Sequence, residues 1–150
     1  YEPFELPGRR MNRSRGWEIY PRIIYDMAMR IKNDYRNIDW FVAESGMGVE
    51  NEAQFRNRDG IIDDAYRIDF ISEHLYYALL AREEGANCHG YMLWAFTDNV
   101  SPMNAFKNRY GLIEIDLDNN RARRPKKSAS WFRRLRDERV LTLSVDDEWK

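Results

Sequence analysis

A short apolar run that ends on a carboxylate occupies residues 40–46, which read WFVAESG. The carboxylate is Glu44, and small, turn-forming residues follow it at once. A buried parallel strand followed by a turn brings its last side chains to the edge of the sheet where active sites lie in barrels. A buried carboxylate without a partner is unfavourable. Glu44 is therefore either a functional acid or an ordinary capping acid before the turn, and periodicity alone does not separate the two.

Helical periodicity precedes this run. Pro21 stands where a helix can begin, because its missing N–H is tolerated in the first turn. Apolar residues at helical spacing then predict a helix that fades near Tyr35. The apolar run itself predicts a short buried strand over residues 39–43. Residues 1–15 and 45–60 show no sustained period and are predicted to be loops.

A second helix and a second strand follow. Asp63 or Asp64 can cap the helix at its start, and Gly85 should end it. The apolar stripe of this helix is predicted to be buried. That stripe consists of Ile68, Ile71, Leu75, Ala78 and Leu79. Residues 88–96 predict another buried strand, which closes on Trp94.

Alternating apolar and polar residues over 113–118, followed by Asp118-Asn119-Asn120, predict a β-hairpin. A last helix should follow Pro125, and its predicted buried residues are Ala129, Phe132 and Leu135. The order helix, strand, helix, strand, helix predicts an α/β fold with parallel strands and crossover helices. Two parallel strands cannot close a sheet, and a (β/α)₈ barrel takes roughly 250 residues. We therefore expect the 150 residues to be part of a larger fold.

Composition excludes several classes of function. The chain has 24 Lys and Arg against 25 Asp and Glu, so no overall field favours nucleic acid or membrane. No apolar run approaches the length of a membrane span, and no signal peptide is evident. The single cysteine, Cys88, excludes an internal disulfide. His74 and His89 have no neighbour at metal spacing, so we predict no metal site. A cytoplasmic protein is the simplest interpretation.

Three further features have two interpretations each. Trp94 is either a core residue or an aromatic platform for a ligand. The loop from Ser101 to Tyr110 is either solvated or an anion site, because it offers hydroxyl, amide and cationic donors. Residues 121–139 hold nine basic and two acidic residues, which form either a solvated helix face or a nucleic-acid patch.

Six segments, in order along the chain, resemble glycoside hydrolase family 1, the retaining β-glycosidases. The resemblance covers nearly all of residues 1–150, which would form one segment of a single barrel domain. Val42 to Gly46 resembles the family's Thr-Glu-Asn-Gly nucleophile motif, with Ser45 in place of the asparagine. The other segments are GWEIYP at 16–21, DAYRI at 64–68, GYMLW at 90–94, RYGL at 109–112 and RPKKSA at 124–129.

The resemblance implies a fold and site roles. The chain would form the C-terminal part of a (β/α)₈ TIM barrel, namely its last two strand–helix units and a β-hairpin. Glu44 would be the nucleophile that forms a covalent glycosyl-enzyme, and Trp94 would form the floor of the sugar subsite. No cofactor is implied. The partners would be a sugar or sugar-phosphate substrate and the rest of the barrel, with no nucleic acid or membrane.

Ser101 carries the expected substrate preference. Family members that act on unmodified sugars have a glutamate at this position, which would repel a sugar 6-phosphate. Asp98-Asn99-Val100-Ser101 resembles the form found in the 6-phospho-β-glycosidases, where a serine, a lysine and a tyrosine hold the phosphate. Here these residues would be Ser101, Lys107 and Tyr110. The lysine usually lies two residues before the tyrosine, but Asn108 stands there, so Lys107 would have to reach from one position earlier.

The family's acid/base comes from an Asn-Glu-Pro motif, which this sequence lacks. We therefore expect the chain alone to be inactive and the complete protein to hydrolyse 6-phospho-β-glucosides in carbohydrate catabolism. Alternatives are a β-glucosidase or β-galactosidase for unphosphorylated sugars, a non-catalytic carbohydrate-binding module, and a basic interaction domain at residues 121–139. The sequence leaves open glucoside against galactoside, the leaving group and the oligomeric state.

Overall fold

A computed structural model describes residues 7–143 of the chain. The first six residues of the predicted N-terminal loop therefore lie outside the described residues. The remainder of that loop contains a two-residue strand, β1 (Met11–Asn12), which pairs antiparallel with β2 (Trp17–Glu18). The prediction of an unstructured segment up to residue 15 is wrong at this point, because a pairing of only two residues leaves no periodic pattern to detect.

Three α-helices lie where the periodicity predicted them. The second begins after Asp64 and ends before Gly85, whose φ of +88° is a left-handed conformation that glycine adopts without strain. Asp64 occupies the N-cap position, but its carboxylate makes no capping bond to the helix. The helices are α1 (Ile23–Asp34), α2 (Ala65–Glu83) and α3 (Lys127–Glu138).

Eight strands accompany the helices within residues 7–143, and six of them form three short antiparallel pairs. The predicted hairpin is confirmed, since β7 (Ile113–Asp116) and β8 (Ala122–Pro125) pair antiparallel, with Ile113 opposite Pro125 and Asp116 opposite Ala122. The predicted loop over 45–60 is partly wrong, because it contains β4 (Val49–Glu50) and a 3₁₀ helix at Glu52–Phe55. The strands are β1 (Met11–Asn12), β2 (Trp17–Glu18), β3 (Trp40–Ser45), β4 (Val49–Glu50), β5 (Cys88–Leu93), β6 (Asn108–Arg109), β7 (Ile113–Asp116) and β8 (Ala122–Pro125).

The two predicted buried strands correspond to β3 and β5, which form a parallel pair with α2 as the crossover between them. Small side chains let α1 and α2 approach closely under this pair. Ala28 of α1 and Ala81 of α2 are fully buried, with Trp40 of β3 packed against them. This α/β arrangement confirms the predicted fold class.

Neither β3 nor β5 has a second neighbouring strand among residues 7–143. Several of their side chains are consequently open to solvent: Phe41 is 55 % exposed and Met92 is 52 % exposed. The prediction that both strands are buried is therefore wrong for this chain taken alone. A strand in a closed barrel is covered by neighbours on both sides, and here one side of each strand has none.

Two helices also leave predicted core residues exposed. Leu79 of α2 is 50 % exposed and Phe132 of α3 is 36 % exposed. Periodicity identifies the apolar stripe of a helix, but the burial of that stripe depends on which elements lie against it. None of the helices described between residues 7 and 143 is long and apolar enough to cross a membrane.

Candidate active site

Glu44 and Trp94 lie at the same edge of the parallel pair, the one formed by the C-terminal ends of β3 and β5. Glu44 is the penultimate residue of β3, and Trp94 directly follows β5. The carbonyl oxygen of Ser45 accepts the backbone N–H of Trp94 at 2.9 Å, which joins the two strand ends directly. Both side chains are exposed at this edge, and the Trp94–Ala95 peptide bond is cis. The structure thus brings together a carboxylate and an indole ring from positions 50 residues apart.

Gly46 makes this close approach of the two strand ends possible. A Cβ atom placed on Gly46 would lie 1.6 Å from the carbonyl oxygen of Trp94. No side chain fits in that space, so the backbone after Glu44 can run against the backbone of Trp94 only with glycine at this position.

We expect Gly46→Ala to lower the free energy of unfolding of the complete protein by about 2 kcal/mol or more, because the added methyl group overlaps main-chain atoms. The displaced strand end should also lower enzymatic turnover. Gly90→Ala is the matched control, since a Cβ atom on Gly90 would meet its nearest neighbour, the Cβ of Phe41, at 3.6 Å. Urea unfolding of both variants measures the difference, and equal stabilities would contradict the assigned role of Gly46.

Tyr91 lies behind this edge, in β5. Burial raises the pKa of Tyr91 to about 12, while the Ser45 side chain acts in the opposite direction. The phenol therefore stays protonated at neutral pH.

Ser101 lies at the base of a tight turn. Its backbone exchanges two hydrogen bonds with Ala105, at 2.9 and 2.8 Å. The Ser101 hydroxyl accepts the backbone N–H of Met103 at 3.2 Å. That contact uses one lone pair and leaves the hydroxyl proton available to a ligand oxygen.

Tyr110 is held against the loop that follows Glu44. A Cβ atom on Gly48 would lie 2.4 Å from the Tyr110 ring, so the ring rests directly on the glycine backbone. The strand pair β4 and β6 runs beside this contact and joins the same two loops. The structure therefore connects the loop carrying Tyr110 to the loop carrying Glu44.

Lys107 is already engaged by another group. Its ammonium forms an ion pair with Glu50 at 3.1 Å, and its side chain is 65 % exposed. Asn108, which stands where the family's lysine is expected, is buried in β6 and its Oδ1 has no hydrogen-bond partner among the described residues. The proposed phosphate contact of Lys107 therefore requires this ammonium to leave Glu50 or to bridge both anions.

A buried ionic network, which was not predicted from the sequence, lies behind these loops. Its members are two cations and three carboxylates, none more than 4 % exposed: Arg67, Lys126, Glu52, Asp64 and Asp98. We call these five residues the ionic network. Arg67, Asp64 and Lys126 occur in two of the segments that resemble the family, which was the available signal. Glu52 and Asp98, however, lie 15 and 28 residues from Arg67 and Lys126, the cations that they contact.

The contacts of the ionic network leave no charge without a partner. Lys126 donates to Glu52 and, at 2.9 Å, to Asp98. Arg67 donates to Glu52 and, at 3.0 Å, to Asp64. Burial lowers the pKa of Arg67, but Glu52, Tyr66 and Asp64 together outweigh burial, and the pKa is raised.

The predicted structural roles of the histidines agree with their contacts. Nδ1 of His74 lies 2.6 Å from the carbonyl oxygen of Phe70, and burial lowers the pKa of His74. Nε2 of His89 lies 2.9 Å from Asp39, at the opposite end of the parallel pair from Glu44. Within the described residues, no group of three or more potential ligands is placed to hold a metal ion.

The basic segment 121–139 is divided among several local contacts. Lys126 is buried in the ionic network, and Lys127 pairs with Asp63 at 2.8 Å. Arg124 pairs with Asp116 at the same distance. These contacts favour a structural interpretation of part of this segment.

The sequence profile of glycosyl hydrolase family 1 matches residues 8–140. The chain belongs to this family. It is 49 % identical over 135 residues to the 6-phospho-beta-glucosidase GmuD of Bacillus subtilis, covering 90 % of the chain and 29 % of that protein. It is 41 % identical to a 6-phospho-beta-galactosidase of Clostridium acetobutylicum, covering 89 % of the chain and 27 % of that protein.

Family 1 structures share the fold of this chain. The family 1 beta-glucosidase from Thermotoga maritima superposes with a TM-score of 0.82 at 26 % identity, over 93 % of this chain and 30 % of that one. The predicted C-terminal part of a TIM barrel is thereby confirmed. The chain spans less than a third of the length of these relatives, and the other strands of such a barrel would cover the open sides of β3 and β5.

Proposed function

We propose that the complete protein hydrolyses β-glycosidic bonds with retention, and that its substrates are 6-phospho-β-glucosides. Ser101 is the observation that carries the phosphate preference, because a hydroxyl replaces the glutamate expected for unmodified sugars. The 49 % identity to a 6-phospho-beta-glucosidase supports the same conclusion. A cytoplasmic location and a role in carbohydrate catabolism belong to this proposal.

Glu44 is the nucleophile of the proposed reaction. A retaining enzyme attacks the anomeric carbon with one carboxylate while a second carboxylic acid, about 5–5.5 Å away, protonates the leaving oxygen. The second group then takes a proton from water, which releases the sugar with its original configuration. Glu44 suits the first role because it is exposed at the edge where β3 and β5 end.

Trp94 provides the floor of the sugar subsite. An indole face packs well against the apolar side of a sugar ring, and the Trp94 side chain is 40 % exposed beside Glu44. Ser101 would donate its hydroxyl proton to the phosphate, together with the Tyr110 hydroxyl and the Lys107 ammonium. Charge-assisted hydrogen bonds of this kind are about twice as strong as neutral ones.

The 150-residue chain alone should show no turnover, since the acid/base and the remaining strands would come from the rest of the barrel. Assaying the isolated chain with nitrophenyl β-glucoside 6-phosphate checks this expectation. Measurable hydrolysis would mean that another group in this chain serves as the acid.

The proposed substrate is tested by comparing nitrophenyl β-glucoside with its 6-phosphate on the complete protein. We expect kcat/KM to favour the phosphorylated substrate by on the order of 10²-fold or more, because a polar site rejects substrates that leave its donors unpaired. Ser101→Glu should remove this preference through charge repulsion, and Ser101→Ala controls for loss of the hydroxyl alone. Faster hydrolysis of the unphosphorylated glucoside by the wild type would overturn the proposal.

A 6-phospho-β-galactosidase is a second candidate, favoured by the 41 % identity to the Clostridium acetobutylicum protein. The corresponding nitrophenyl galactoside 6-phosphate distinguishes it in the same assay. A non-catalytic carbohydrate-binding module would bind sugar through Trp94 without turnover. Trapping with a 2-fluoro glycoside separates that case, because only a nucleophilic Glu44 becomes covalently labelled.

A further inference from the structure

Arg67 connects the loop that follows Glu44 to the loop that carries Tyr110. Its side chain is only 1 % exposed, and its guanidinium donates to backbone carbonyls on both loops. One acceptor is Met47, three residues after Glu44. The others are Tyr110 at 3.0 Å and Arg109 at 3.2 Å. The guanidinium thus spans two segments that lie more than 60 residues apart in sequence.

Two carboxylates fix the guanidinium in this position. Nε donates to Asp64 at 3.0 Å, and Nη2 donates to Glu52. The planar fork of arginine fits such a set of acceptors, whereas the ammonium of lysine has only three donors and no fixed plane. Asp64 is held in turn by Ser128, whose backbone N–H and hydroxyl donate at 2.8 and 2.6 Å.

The ionic network also holds the other end of the loop that carries Tyr110. Asp98 begins the segment Asp98-Asn99-Val100-Ser101, and its carboxylate accepts the backbone N–H of Gly111 at 2.9 Å. Lys126 joins Asp98 to Glu52, and hence to Arg67. Both ends of the loop that contains Ser101, Lys107 and Tyr110 are therefore attached to one buried group of charges.

We propose that Arg67 is a positioning residue for phosphate recognition: it fixes the Tyr110 loop relative to Glu44, so that phosphate and anomeric carbon are held at the correct separation. This inference rests on the proposed function. It adds that the preference for a phosphorylated sugar depends on a side chain that touches no part of the substrate.

The test uses Arg67→Lys in the complete protein, with kcat and KM measured on both nitrophenyl glucosides. We expect KM for the 6-phosphate to rise about tenfold or more, the effect of losing a hydrogen bond from a charged donor. The unphosphorylated substrate should change by less than about threefold, since it makes no phosphate contact. If Arg67→Lys does not fold, Glu52→Gln tests the same point. The glutamine keeps an acceptor near Arg67 but lacks the negative charge, so it binds the guanidinium more weakly than the carboxylate does.

Ser72→Ala is the matched control. It removes a buried hydroxyl of α2 that donates to the carbonyl oxygen of Asp69 at 3.0 Å, outside the ionic network, so it should lower the thermal midpoint and leave the ratio of the two kcat/KM values unchanged. The positioning role alone is overturned if the wild type prefers the phosphorylated substrate and folded Arg67→Lys or Glu52→Gln shows the same ratio of kcat/KM values. A wild type without that preference overturns the proposed function and this inference together.

Discussion

Replacing Glu44 by glutamine in the complete protein is expected to lower kcat for a nitrophenyl β-glucoside 6-phosphate by on the order of 10⁴-fold or more, as loss of a nucleophile does in other enzymes. Glutamine has nearly the same shape but cannot form the glycosyl-enzyme ester. Substrate affinity should change little, because Trp94 and the Tyr110 loop remain in place. Single-turnover kinetics and equilibrium binding of the substrate measure the two quantities separately.

Glu83, an exposed carboxylate distant in sequence from Glu44, supplies the control for this experiment. It is an exposed residue of α2, so Glu83→Gln removes the same charge without touching the strand edge and should keep wild-type kinetics.

Azide gives a second readout with Glu44→Gly. It can enter the space left by the side chain and attack the anomeric carbon once, giving a glycosyl azide of inverted configuration. Undiminished turnover by Glu44→Gln would show that another group is the nucleophile.

Replacing Lys126 by methionine should lower the free energy of unfolding of the complete protein by about 3–5 kcal/mol, the usual effect of removing one partner from a buried ion pair. The Lys126 side chain is fully buried between Glu52 and Asp98. Methionine fills a similar volume but leaves three buried carboxylates with Arg67 as the remaining buried cation. Urea unfolding, monitored by tryptophan fluorescence, measures the change.

The next residue provides the comparison. Lys127 pairs with Asp63 at 2.8 Å, but both side chains are about half exposed. Lys127→Met should therefore change stability by less than about 1 kcal/mol, as is usual for ion pairs in contact with water. The two variants remove the same charge from adjacent positions and differ in burial. Similar losses of stability would show that the ionic network contributes no more than a surface pair.

The main elements of this fold were predictable because their signals are local. Helical spacing, Pro21 and Gly85 indicated α1 and α2, and the alternation after Ile113 indicated the hairpin. Burial was less predictable. Leu79 and Phe41 have the apolar character of core residues, yet both are about half exposed, because their burial requires neighbours that this stretch of chain does not provide.

The site was predictable only in part, for a related reason. The strand-end positions of Glu44 and Trp94 follow from parallel pairing across a crossover helix, which sequence order implies. The contact between Lys107 and Glu50 does not, because it depends on how two loops pair through β4 and β6. The ionic network likewise joins residues up to 74 positions apart, such as Glu52 and Lys126, and no spacing rule identifies such partners.

The guanidinium of Arg67 holds the two loops by main-chain oxygens, which every amino acid possesses. The residues at positions 47, 109 and 110 can therefore be exchanged by mutation without removing the acceptors that keep the loops in place. Evolution can change what the pocket recognises while the frame around it stays the same.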